Sequence, residues 1–225
     1  EKTIYKAMSF TEDNYEKAVI ALFEQMGYRY LYGPDIERDY YVPFYEEQLL
    51  LSLANLNRGK PQAALQEAVG KLKDIDTGSL AQKNERFMDY LQHGIEVSYF
   101  DGREQRNDLV YLIDYAHTER NDFQIVNQWT FVEHSEKRAD LVVFVNGLPL
   151  VVMELKSPSR EETDASEAYR QLRNYMQEIP SLFVYNVFCV MSDMACSKAG
   201  TITSKEDRYM EWKTRDGDYE STDFA

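Results

Sequence analysis

The stretch Arg138–Pro158, RADLVVFVNGLPLVVMELKSP, carries the clearest structural signal in this chain. Two apolar runs rich in β-branched residues flank Asn146-Gly147, which is the strongest short-range signal for a β-hairpin. The runs are apolar at nearly every position rather than at alternate positions, which is typical of strands covered on both faces. The stretch therefore predicts the centre of a β-sheet with other elements packed on both sides.

The elements around this hairpin predict an α/β protein with a mixed central β-sheet flanked by helices and an inserted helical segment. Ser9 and Glu12 have the spacing of a capping box at the start of the first helix. Helices are predicted near residues 11–26, 45–57, 61–74, 80–92 and 163–178, and further strands over Ile95–Phe100, Leu109–Tyr115, Phe123–Glu133 and Phe183–Met191.

We expect one domain over residues 1–225. It would contain the helical insertion at about 45–92, a core at about 95–192 and a polar tail of helix and loops at about 193–225. The chain lacks an initiator Met, so we expect it to be a piece of a longer chain.

The amino-acid composition excludes several classes of protein. Lys and Arg number 25 against 39 Asp and Glu, so the formal charge is −14 and a basic protein that coats nucleic acid is excluded. No apolar stretch is long enough to span a bilayer, and no signal-peptide core is visible. The only cysteines, Cys189 and Cys196, make neither a zinc site nor a disulfide framework, so the cytoplasm is the expected compartment.

Three ionisable residues interrupt the apolar hairpin: Asp140, Glu154 and Lys156. Charged side chains are rarely buried unless they are paired or bind a metal. Glu154 and Lys156 are two residues apart on one strand, so both point to the same face. Asp140 opens the first strand and Glu154 lies near the end of the second, so an antiparallel pairing brings the two carboxylates together.

This set of groups suits metal-assisted hydrolysis of a phosphodiester. Two neighbouring carboxylates repel each other, and Mg²⁺ relieves that repulsion while also accepting a backbone carbonyl and several waters. Lys156 can orient or deprotonate a water, or stabilise charge on the phosphorane. The alternative interpretation is a buried carboxylate–lysine pair with a purely structural role.

The register of the hairpin tests this hypothesis. A strict Asn146-Gly147 turn would place Asp140 and Glu154 on opposite faces, because a shift of one residue reverses every side chain. The hypothesis therefore requires a turn of three or five residues, with or without a glycine bulge, or a bulge within the strands.

An Asp followed after a gap by Glu-x-Lys on a hairpin resembles the PD-(D/E)xK nuclease superfamily. The segments FTEDNYEKAVIALFEQMGY, SEKRADLVVFVNGLPLVVMELK and KAGTITSKEDRYMEWKT resemble the N-terminal endonuclease domain of the restriction (R) subunit of type I restriction-modification enzymes. This likeness covers nearly the whole chain. One departure is Ala139, which stands where the superfamily motif usually has Pro before the Asp.

The resemblance implies a role for each matching residue. Asp140 and Glu154 would bind the metal together with the backbone carbonyl of Leu155, and Lys156 would be the catalytic lysine. Gln171 and Tyr175 match a Q-x-x-x-Y motif that would hold the DNA backbone or the lysine in place. In addition, Glu16 would be an acidic residue contributed by the first helix, as in some relatives.

The resemblance further implies a Mg²⁺-dependent endonuclease domain of a type I site-specific deoxyribonuclease acting on double-stranded DNA in bacteria or archaea. Its partners would be the modification (methyltransferase) and specificity subunits. ATP would serve motor domains elsewhere in the parent chain, since no GxxxxGK[ST] motif occurs here. The alternatives are a catalytically silent docking module of the same assembly, and a nuclease acting on RNA or branched DNA.

Overall fold

The computed structural model describes residues 11–156, 165–193 and 196–211. Its strands are β1 (Arg29–Tyr32), β2 (Ile95–Phe100), β3 (Gln105–Val110), β4 (Phe123–Val132), β5 (Glu136–Val145), β6 (Leu148–Leu155), β7 (Phe188–Ser192), β8 (Ser197–Gly200) and β9 (Met210–Glu211). Its α-helices are α1 (Glu12–Gln25), α2 (Glu46–Leu56), α3 (Gln62–Lys73), α4 (Leu80–His93), α5 (Ala165–Glu178) and α6 (Pro180–Val184).

A seven-stranded sheet forms the centre, in the order β1-β4-β5-β6-β7-β8-β9. The β1–β4 and β6–β7 pairs are parallel and the other pairs are antiparallel, so the sheet is mixed. The predicted α/β class with a mixed central sheet flanked by helices is confirmed. The hairpin β5–β6 lies in the middle of the sheet, as its continuous apolar sequence requires.

Helices cover both faces of this sheet. On one face α1 buries Tyr15 and Ile20 against Leu141 and Val151. On the opposite face α5 packs onto the alternate residues of the same two strands, in a cluster that contains Leu172, Met176, Val142 and Val152. Burial of such side chains contributes about 1.5–3 kcal/mol each, so the hairpin is fixed from both sides.

The helical segment α2–α4 forms a second apolar cluster with β2 and β3, which pair only with each other. Leu49, Leu72 and Phe87 are fully buried in this cluster, and Leu148 at the start of β6 joins them. The helical segment is thereby attached to the central sheet at the Asn146-Gly147 end of the hairpin. No helix in the described part of the chain is long and apolar enough to cross a membrane.

The Asn146-Gly147 turn is itself buried. The Asn146 side chain accepts a hydrogen bond from the Asp122 amide and donates to the Leu112 carbonyl and to Asn121. The Gly147 carbonyl accepts from the amide of Tyr45, the residue before α2. The turn therefore joins the sheet to the helical segment as well as reversing the chain.

Several predicted boundaries were wrong. The second strand of the small hairpin is Gln105–Val110 rather than Leu109–Tyr115, because a tight turn over residues 101–104 joins it directly to β2. The predicted strand Phe183–Met191 begins only at Phe188, since Pro180 starts the short helix α6.

The chain beyond β7 was predicted as helix and loops, but β8 and β9 extend the central sheet. Their sequences are short and carry few β-branched residues, and backbone pairing with β7 determines their conformation. Thr11 caps α1 by accepting from the Asn14 amide, whereas the predicted cap Ser9 lies outside the described residues. The predicted helix start at 163 also lies outside them.

Candidate active site

A bulge within the hairpin sets the register of the candidate site. The tight turn pairs Val145 with Leu148, but the register shifts beyond Phe144, so that Leu141 faces Met153. The extra residue is Leu150, whose carbonyl accepts from the Val187 amide at 2.7 Å. Continued at the same register, the strands place Asp140 opposite Glu154. Of the possibilities that the sequence left open, the bulge within the strands is the one observed.

The structure brings Asp140, Glu154 and Lys156 together at the end of this hairpin. The Leu155 amide donates to Asp140 Oδ2 at 2.9 Å, and Lys156 Nζ donates to Glu154 Oε1 at 2.6 Å. The amide of Lys156 donates to the carbonyl of Ser192, which fixes this end of β6 against β7. A backbone amide thus holds Asp140 in place, and the Lys156 side chain holds Glu154.

Glu154 is the most deeply buried of the three, at 2% exposure. Its Oε1 is occupied by Lys156, but its Oε2 is buried and has no hydrogen-bond partner among the described residues. The Tyr175 hydroxyl lies beside this carboxylate, yet it donates to the Arg138 carbonyl at 3.0 Å and not to Oε2. A buried carboxylate oxygen without a donor costs free energy unless a cation approaches it.

Burial, with smaller contributions from neighbouring negative charges, raises the pKa of both acids. Burial, and then the charge of Asp140, raise the pKa of Glu154 to about 8 against the opposing effect of Lys156. Burial also raises the pKa of Asp140 to about 6, with smaller contributions from Glu12 and Glu16. Burial alone would lower the pKa of Lys156, but the Glu154 carboxylate outweighs it and the pKa is raised. The single ammonium group of Lys156 is therefore insufficient to stabilise the charged forms of both carboxylates.

The donor set fits a hydrated hard cation. Among the described residues no group of three or more His, Cys, Asp or Glu side chains is arranged to hold a metal. An all-protein cage is thus absent from this part of the chain. Mg²⁺ commonly uses only one or two carboxylates and completes its octahedron with waters and substrate phosphates. Asp140 and the unpartnered Oε2 of Glu154 meet that requirement.

Gln171 and Tyr175 lie on α5 behind Glu154. Tyr175 is buried, and the Gln171 side chain lies beside its hydroxyl. Because that hydroxyl also holds the carbonyl of Arg138, two residues before Asp140, the pair connects α5 to the start of the site. A supporting role for both residues fits this geometry.

Glu16 on α1 is fixed by two amide side chains of β4. Asn127 Nδ2 donates to Glu16 Oε1 at 2.6 Å, and Gln128 Nε2 donates to Oε2 at 3.0 Å. Our sequence analysis did not single out Asn127 or Gln128. Their signal was the one pair of adjacent polar residues within the run Phe123–Val132.

Comparison with known proteins identifies the family of this chain. The family model described as the type I restriction enzyme R protein N terminus matches residues 9–208. The chain belongs to this family. Its hairpin, carrying Asp140, Glu154 and Lys156, lies well inside the region that the R protein family model matches.

Curated relatives of this R protein N terminus are named as endonuclease subunits. The type I restriction enzyme HindI endonuclease subunit of Haemophilus influenzae is 33% identical over 215 residues, covering 91% of this chain and 20% of the relative. The putative MjaIXP endonuclease subunit of Methanocaldococcus jannaschii is 28% identical over 213 residues, covering 90% of this chain and 20% of the relative. The chain thus spans about one fifth of the length of these two relatives. The EcoprrI endonuclease subunit of Escherichia coli is 27% identical over 202 residues, covering 88% of this chain and 61% of the relative.

The raised pKa of Glu154 makes a prediction about stability. The folded chain holds this proton more tightly than the unfolded chain, so its stability falls as pH rises from the ordinary value of 4.5 toward about 8. Glu154→Gln removes the titrating carboxyl group and with it this loss of stability. We expect the free energy of unfolding of the variant, relative to wild type, to increase between pH 5 and pH 8 by on the order of a few kcal/mol.

Urea denaturation of the metal-free chain at both pH values measures this difference. Glu85→Gln, at an exposed position on α4, is the control and should leave the difference unchanged. A relative stability that falls with rising pH would instead support the purely structural ion pair.

Proposed function

We propose that this chain is the Mg²⁺-dependent endonuclease domain of a type I restriction enzyme R subunit and hydrolyses phosphodiester bonds of double-stranded DNA. The observation that carries the proposal is the juxtaposition of Asp140 with a buried, unpartnered oxygen of Glu154 across the central hairpin. Family membership supports it, since the relatives are named as endonuclease subunits.

Asp140 and Glu154 would hold the metal with their carboxylates, and the Leu155 carbonyl would join them. In a β-strand the N–H and C=O of one residue point to the same side. The Leu155 N–H contacts Asp140, so its carbonyl is directed to the same edge. Mg²⁺ in such a site lowers the pKa of bound water and neutralises charge on the phosphate.

Lys156 is the one cation that forms an ion pair with either of these acids in the described structure, and its partner is Glu154. Its side chain is 14% exposed, so the ammonium group lies at the border between Glu154 and solvent. At that border it can reach a phosphate oxygen or the attacking water. Stabilisation of developing negative charge by a positioned cation is a major contribution to such reactions.

The remaining functions of the parent enzyme would lie outside this chain. Modification and specificity subunits would select the DNA, and ATP-driven translocation would be supplied by other domains of the R subunit in the cytoplasm of a bacterium or archaeon. The net charge of −14 fits a domain that binds DNA poorly until it is delivered, because phosphate attraction dominates non-specific affinity.

Titration of the chain with Mg²⁺ or Mn²⁺ in a calorimeter tests the metal site. We expect Asp140→Asn to weaken binding by about tenfold or more, equivalent to about 1.4 kcal/mol, because it removes one of two charged ligands. Asp207→Asn, at an exposed site distant in sequence from the hairpin, is the matched control and should bind as wild type does. A wild-type chain that binds neither ion would favour the docking module.

A further inference from the structure

Gln128, on the strand next to that of Asp140, has an unusual backbone conformation. Its φ is 56°, in the left-handed region that residues other than glycine rarely adopt. On either side of it, Asn127 pairs with Leu141 and Trp129 pairs with Ala139. Gln128 therefore lies directly opposite Asp140 on the neighbouring strand, where the ladder is interrupted.

The surrounding chain is built to accommodate this conformation. Gly33, which follows β1, packs against the backbone of Asn127 and Gln128. A Cβ atom at Gly33 would lie 2.6 Å from the Asn127 carbonyl oxygen and 2.7 Å from that of Gln128. Only glycine allows this approach. A left-handed non-glycine residue costs about 1–3 kcal/mol, and such strain tends to occur at functional sites.

The conformation directs the Gln128 side chain to Glu16. Gln128 and Asn127 each donate to a different oxygen of that carboxylate, at 3.0 Å and 2.6 Å. Tyr30 in turn donates to Asn127 Oδ1 at 3.1 Å, which orients the Asn127 amide toward Glu16. Glu16 makes no ion pair among the described residues. Neutral amides thus fix an uncompensated negative charge close to Asp140.

We propose that Gln128 is a positioning residue which, with Asn127, holds Glu16 beside Asp140 so that its carboxylate accepts hydrogen bonds from the waters of the bound metal ion. This inference rests on the proposed function. A hydrated Mg²⁺ retains several waters, and groups that bind those waters orient the ion. Without a cation, Glu16 adds to the repulsion at Asp140 and raises the pKa of that acid.

A double-mutant cycle on metal affinity tests the inference. Gln128→Gly removes the amide but suits the left-handed backbone, so we expect unchanged or higher thermal stability. We expect it to weaken Mn²⁺ binding about tenfold in calorimetry, as does Glu16→Gln, since loss of an outer partner typically costs about 10–100-fold in affinity. Because Gln128 acts through Glu16, the double variant should bind no more weakly than Glu16→Gln alone.

Gln128→Asn, which tolerates the same backbone and keeps a shorter amide, should recover part of the affinity. A merely structural role would lower stability and leave the affinity unchanged. Wild-type affinity in Gln128→Gly, or additive losses in the double variant, would overturn the inference. If Asp140→Asn loses metal binding while these variants retain it, only the positioning role fails; if Asp140→Asn also retains it, the proposed function fails.

Discussion

Lys156→Ala in the complete R subunit, assembled with its modification and specificity subunits, will reduce ATP-dependent cleavage of a plasmid by about a hundredfold or more. Lys156 Nζ contacts Glu154 at 2.6 Å, which is the one ion pair that the described structure gives to the two acids of the proposed metal site. Removing a positioned acid–base or charge-stabilising group typically costs about 10²–10⁴-fold. The rate of linear DNA formation under single-turnover conditions measures the loss.

ATP hydrolysis by the same assembly should continue at the wild-type rate, because the variant changes only the proposed nuclease site. Lys73→Ala, which breaks an exposed pair between α3 and Glu46 of α2, is the control and should cleave normally. Undiminished cleavage by Lys156→Ala would contradict the catalytic assignment. Parallel assays on RNA and branched DNA distinguish the remaining substrate alternatives.

Gly147→Ala will strongly destabilise the chain. Gly147 has a φ of +82°, and a Cβ atom there would lie 2.6 Å from both the Leu49 amide nitrogen and the Tyr45 carbonyl oxygen. These are backbone atoms at the start of α2, so relief requires separation of the helical segment from the hairpin. We expect a loss of about 3 kcal/mol or more in urea denaturation, from overpacking added to the backbone penalty.

Gly102→Ala separates these two contributions. Gly102 has a φ of +96°, but a Cβ atom there would meet nothing within 4 Å. Its replacement should therefore cost only the left-handed penalty of about 1–2 kcal/mol. Equal losses in the two variants would show that the docking of the turn on α2 contributes little to stability.

The sequence identified the three charged residues that meet at the candidate site, but it did not identify every strand of the sheet. The hairpin and its three charged residues, Asp140, Glu154 and Lys156, could be identified from the sequence because charged residues are rare in a continuous apolar run. The position of the bulge at Leu150 was not predicted. Pro149 is a residue that central strands tolerate mainly at bulges, but the shift itself depends on the contacts of the Leu150 carbonyl with the following chain. Sequence reasoning reached only the requirement that some irregularity exist.

Other features depend on contacts between distant parts of the chain. The left-handed conformation of Gln128 has no signal in its residue type, because Gln ordinarily avoids that region. It becomes understandable only when Gly33, Glu16 and Asp140 are seen around it. Likewise, Asn146-Gly147 predicted a hairpin correctly, but the packing of that turn against α2 required the fold.

The extra residue at Leu150 restricts how this hairpin can change length. Deleting Leu150 would remove the bulge and leave a regular ladder in which Asp140 still faces Glu154. Inserting one further residue into either strand would instead reverse the face on which the Glu154 carboxylate lies. This hairpin can therefore lose one residue and keep its two carboxylates together, but it cannot gain one residue without a second irregularity.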